Sequence, residues 1–126
     1  LNDFAVVRLI GSVEKGDRVA VGGPADGSAG VFEPAAGALP AAPTAAVAAF
    51  GGSPVNVRTA VADVDGDGSD DTVLATGPGV PLRVAVVSGA DHTTLLVAPV
   101  APFAGSEDFA CGGFVSAADF DGDGRA

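Results

Sequence analysis

The sequence predicts an all-β chain built from repeated four-stranded antiparallel units, about two complete ones and the first strand of a third. Three observations carry that reading. Short runs rich in Val and Ala, bounded by Gly and Pro, recur along the 126 residues, and none shows an apolar stripe of helical period. An Asp-Gly-Asp-Gly motif occurs twice, in stretches that begin at Asp63 and Asp119, 56 residues apart. That spacing suits four short strands with their turns and exceeds most helical repeats. The composition is 48% hydrophobic with 19 glycines and no Trp, Tyr or Met, which fits sheets that are apolar on both faces and stack closely through small side chains.

The whole chain, 1–126, reads as one segment of such repeats. The first unit, about 4–50, takes its strands from Phe4–Ile10, Arg18–Pro24, Ala29–Glu33 and Ala45–Phe50, with a turn at Glu33–Gly37. The second, about 55–103, takes Val55–Ala62, Asp71–Gly77, Leu82–Val87 and Leu95–Val100, the last running on to Phe103. A Gly-Pro-Gly turn at 77–79 and a polar turn at Ser88–Thr94 connect them. The third begins at about 113 and runs to 126.

The stretch Asp63-Val-Asp-Gly-Asp-Gly-Ser-Asp-Asp71 places acidic oxygens at loop positions one, three, five and nine around a glycine at six. A hard dication takes about six to eight oxygens at roughly 2.3–2.6 Å, and alternate residues of a tight loop point inward together. Asp63, Asp65 and Asp67 supply the alternating carboxylates, the carbonyl of Ser69 and the side chain of Asp71 complete the ring, and Asp70 points elsewhere. Gly68 can take the positive φ that folds the loop back. An Asp/Gly-rich surface turn that binds nothing is the plainer alternative, but the four ligand carboxylates within these nine residues repel one another without a cation. The second copy offers Asp119, Asp121 and Asp123, and the sequence ends at Ala126, one residue short of its ninth position. A fragment of a longer protein is the expected account. In the first unit only Asp17 keeps a carboxylate at a ligand position of the equivalent loop, so no metal is expected there.

An EF-hand would need a Glu at position twelve, where Leu74 stands, and amphipathic helices on both sides, where the flanks are short and β-branched. The loop therefore joins two strands.

Taken together, a Phe ahead of the first strand, the Asp-Gly-Asp-Gly loop, a strand and a Gly-Pro-Gly turn resemble the FG-GAP/VCBS repeat. That repeat is the blade of integrin-α-like β-propellers and of many bacterial surface proteins. The resemblance spans essentially the whole chain and implies an incomplete propeller. It also implies a calcium ion on the first hairpin of each intact blade, carried here to Asp63, Asp65, Asp67, Ser69 and Asp71, and to Asp119, Asp121 and Asp123. Propellers close with about four to eight blades, so two leave apolar faces for the remaining blades of a parent chain or for self-association.

A net charge of −10, from six basic against sixteen acidic residues, argues against nucleic acid or an anionic membrane as partner. No run reaches the roughly 18 apolar residues of a membrane span. Cys111 is the sole cysteine and reads as a small buried thiol. His92, the sole histidine, reads as a solvated turn residue beside Asp91 rather than part of a triad, and neither Asp70–Asp71 nor Glu107–Asp108 is set across a visible cleft. The expectation is a non-enzymatic, extracellular or cell-surface recognition or adhesion module with structural Ca2+ and a protein or glycan ligand. The alternative makes the chain non-catalytic blades of a secreted propeller hydrolase or lyase.

Overall fold

In the computed structural model, residues 17–35, 38–103 and 109–126 are described. They form seven strands: β1 Val19–Gly22, β2 Ser28–Phe32, β3 Ala45–Ala48, β4 Val57–Ala62, β5 Asp71–Thr76, β6 Val84–Val87 and β7 Leu95–Val100. Strands β1-β2-β3 make a three-stranded sheet and β4-β5-β6-β7 a four-stranded one, with all neighbours antiparallel and in chain order. The fold is all-β. Neither sheet closes on itself or on the other into a ring among the described residues.

The strands form where β-branched and small residues alternate between turn signals. At the β1–β2 turn, Gly27 takes φ 79° while the Asp26 carboxylate accepts the Ser28 amide at 3.0 Å and its hydroxyl at 2.6 Å. Strand β7 lies at the sheet edge, where a proline such as Pro99 is tolerated, and its pairing with β6 shifts register between Val84 and Val86.

Pairing sets the faces. On the first sheet Ala20, Ala29, Val31 and Val47 fall on one side, and on the second Val57, Leu74 and Val87 do. These sides meet in one core, in which Ala29, Val31, Val47, Val57, Leu74 and Val87 are buried. Each fully buried Val or Leu contributes about 1.5–3 kcal/mol. The contact is close because β1 ends in glycine: a β-carbon on Gly22 would fall 2.0 Å from the Val57 carbonyl oxygen. Gly22→Ala is therefore expected to push the sheets apart and cost about 1–3 kcal/mol. Urea unfolding checks this.

Polar ties cross the same junction. The Thr59 hydroxyl donates to the Ala20 carbonyl at 2.7 Å, and the Arg18 amide donates to Asp70 Oδ2 at 3.2 Å. Glu33 Oε1 forms an ion pair with Arg18, 3.1 Å from its Nε and outside hydrogen-bond geometry, and lies 2.9 Å from His92 Nε2. His92 thus departs from the solvated turn residue the sequence suggests: its side chain is only 17% exposed, and its backbone takes φ 59°. The Asp91 carboxylate is the local cause. It turns from the imidazole to the Thr94 hydroxyl and the Thr93 and Thr94 amides, which folds the β6–β7 connection back toward the end of β2. The Thr94 hydroxyl, then the two amides, hold Asp91 well below the usual carboxylate range.

Three other expectations meet a different outcome or none. The strand at Phe4–Ile10 and the loop Gly11–Gly16 lie outside the described residues, as do Glu107 and Asp108. The opening strand of a third unit is not seen among the described residues: 113–118 have no ladder partner there, and are fixed at Gly113, whose amide donates to the Thr76 carbonyl at 3.3 Å, and at Phe114, whose ring lies 5.1 Å from the Arg58 guanidinium carbon. Cys111 is exposed, not buried, because its segment passes over the surface of the β5–β6 connection, with the Ala110 carbonyl taking the Gly79 amide at 2.9 Å. Among the described residues no helix is long and apolar enough to cross a membrane.

Candidate metal centre

The first acidic loop connects β4 to β5, so its ends are held by a six-pair ladder from Val57↔Thr76 to Ala62↔Asp71. Between them the carboxylates organise the backbone. Asp63 Oδ1 accepts the amides of Gly66 at 2.6 Å and Asp67 at 3.1 Å, and Asp63 Oδ2 accepts that of Gly68 at 2.8 Å. Asp65 Oδ1 accepts the Asp67 amide at 3.0 Å, and Asp67 Oδ1 accepts the Ser69 amide at 2.7 Å. The turns this requires fall on Gly66 and Gly68, with φ 82° and 88°, a region that costs glycine nothing. Gly66 also leaves room for Arg125, whose side chain lies against it.

Asp63, Asp65 and Asp71 each offer a carboxylate oxygen, all within 4.8 Å of one another. Oxygens bound to one calcium ion at about 2.3–2.6 Å can be at most about 5 Å apart, so this donor set fits a single hard cation. Asp67 stands outside that group, its Oδ1 engaged by the Ser69 amide. Ser69 contributes that amide to the loop.

The second loop repeats the geometry. Asp119 Oδ1 accepts the amides of Asp121 at 3.2 Å and Gly122 at 2.7 Å, and Oδ2 that of Gly124 at 2.8 Å. Asp121 Oδ1 takes the Asp123 amide at 3.2 Å and Asp123 Oδ1 the Arg125 amide at 2.8 Å. Gly122 and Gly124 stand at φ 76° and 88°. Asp119, Asp121 and Asp123 bring one oxygen each within 4.8 Å of the others. The fifth-position acid is thus inside the group in this loop. Backbone amides, that of Gly124 foremost, hold Asp119 below the usual carboxylate range. The two loops touch: the Ala126 amide donates to the Asp63 carbonyl at 2.8 Å.

Asp71 and Asp70 divide their work. Asp71 is fully buried, with Oδ2 accepting the Val64 amide and Oδ1 the Gly89 amide, both at 2.8 Å. Its carboxylate closes the acidic loop and pins it to the β6–β7 connection, a second role that the loop spacing alone does not reveal. Asp70 faces the first sheet through the Arg18 amide, and partial burial raises its pKa above the ordinary value against that hydrogen bond. A raised acid pKa means the folded state holds the proton more tightly, so this group's contribution to stability falls as pH rises through the raised value. Asp70→Asn keeps the acceptor and removes the half-buried charge. The expected change at pH 7 is within about 1 kcal/mol, neutral or stabilising, with thermal unfolding at pH 4 and 7 as the check.

Fold and site together define an all-β protein with clustered acidic side chains able to coordinate a metal ion. No known family's sequence pattern, no curated protein and no solved structure matches the chain.

Proposed function

We propose that this chain is a calcium-stabilised segment of an FG-GAP/VCBS-type β-propeller, working outside the cell or at its surface as a recognition or adhesion module without catalytic chemistry of its own. The observation that carries the reading is the repeated loop: two acidic stretches 56 residues apart with the same pattern of carboxylate–amide bonds and the same pair of left-handed glycines. Asp63, Asp65, Asp67 and Asp71, with the Ser69 carbonyl, are the proposed ligands of the first ion, and Asp119, Asp121 and Asp123 those of a weaker second. Oxygen-only donors suit calcium over softer metals. The ion neutralises the clustered charge and fastens β4 to β5. The ligand of the module is a protein or a glycan, and the uncovered apolar surface receives further blades or a second copy.

Calorimetric titration with calcium is expected to give one strong and one weak site. Asp65→Ala should weaken the strong site at least tenfold while leaving the stability of the metal-free protein within about 0.5 kcal/mol of its parent, as for a surface substitution. Equal calcium binding by parent and variant would reject the assignment.

A further inference from the structure

At the end of the second sheet away from the acidic loop, the edges of the two sheets leave a groove of about 340 Å³, inside the range of small-ligand sites, roughly 300–1,000 Å³. Its walls are apolar: Phe50 follows β3, Pro81 belongs to the β5–β6 connection and Pro99 to β7. The hydroxyls in it are already engaged. Thr76 Oγ1 donates to the Pro81 carbonyl at 3.1 Å and accepts the Arg83 amide at 2.9 Å, while Ser53 Oγ donates to the Phe50 carbonyl at 2.7 Å.

The Arg83 guanidinium is different. It lines the groove half-buried, spends one donor on the Leu82 carbonyl at 3.0 Å, and has no carboxylate within ion-pair distance among the described residues. Among the described residues no acid lines the groove. In a chain with sixteen acids and six bases, a guanidinium left without a carboxylate among the described residues, beside an apolar wall, is a charge awaiting its complement.

We propose that this groove binds a small organic monocarboxylate, its head paired with Arg83 and its aliphatic or aromatic body laid against Phe50, Pro81 and Pro99. The planar guanidinium fork matches a carboxylate in bidentate geometry. A phosphate dianion fits less well, since one cation between apolar walls cannot offset the desolvation of a second negative charge. The site is separate from the metal loops: β5 runs from Asp71 at the acidic loop to Thr76 at the groove, six residues or about 17–20 Å.

The test is a two-dimensional 1H–15N NMR titration with 3-phenylpropionate, and with 3-phenylpropionamide as its uncharged counterpart. The acid is expected to shift the amides of Ser53, Thr76 and Arg83 to saturation with a dissociation constant of about 1 mM, and the amide to bind at least tenfold more weakly. Arg83→Gln should lose at least tenfold for the acid and leave resonances of the 63–71 loop in place. Asp65→Ala should bind the acid as the parent does, so that loss of calcium binding and loss of the groove are read separately. Acid and amide binding alike, or no saturating shift up to about 20 mM acid, overturns the proposal. The acid–amide comparison in the parent protein decides even if Arg83→Gln does not fold.

Discussion

Asp71→Ala is expected to destabilise the protein by about 3–5 kcal/mol, and to do so with calcium present or chelated. Its carboxylate is wholly buried and receives two main-chain amides, those of Val64 and Gly89, at 2.8 Å. Truncation leaves both donors without a partner, the Gly89 amide buried and the Val64 amide half-buried, and an orphaned buried donor costs about 1–3 kcal/mol, with hydrogen bonds to a charged acceptor at the upper end. Against a total stability of about 5–15 kcal/mol for a domain, that is a large share. Urea unfolding in excess chelator is the decisive measurement. A loss confined to calcium-containing buffer would make Asp71 a metal ligand and nothing more, whereas the geometry requires it also to hold the acidic loop against the β6–β7 connection. Asp65→Ala, lacking such bonds to buried amides, should show the opposite pattern.

Chelation of the parent protein should lower its melting temperature by roughly 10–20 °C. Calcium at a hundred times its dissociation constant adds about 2.7 kcal/mol to the folded state, and a domain of about 100 residues moves by about 4–8 °C per kcal/mol. Magnesium should restore less, because it demands near-octahedral geometry and releases its water reluctantly, while a loop of alternating carboxylates suits the larger, more adaptable shell of calcium. Differential scanning calorimetry with chelator, calcium and magnesium separates these cases. Identical melting in all three would remove the structural role assigned to the ion.

The strands and the acidic loop were legible in the sequence because both are local. Runs such as Val57–Ala62 and Asp71–Thr76 carry β-branched residues between turn signals, and the loop spacing names Asp63, Asp65 and Asp71, whose oxygens converge, together with Asp67 and Ser69, which stand outside that group. What stayed hidden depends on contacts between distant residues. Nothing near His92 announces Glu33, 59 positions away, as its partner. The loop spacing separates Asp70 from Asp71, but not the partners they find: the Arg18 amide for one and the Gly89 amide for the other. Gly22 is an undistinguished member of the run Arg18–Pro24 until the Val57 carbonyl is found where its side chain would be. The groove beside Arg83 joins pieces of three separate segments, and none of them is distinctive alone.

One oxygen of Glu33 answers a guanidinium that precedes β1 and an imidazole from the far hairpin. With the core shared as well, neither sheet has an independent boundary along which to come apart. The described strands therefore constitute a single cooperative unit, in which loosening the β6–β7 hairpin at one end withdraws support from the first sheet at the other.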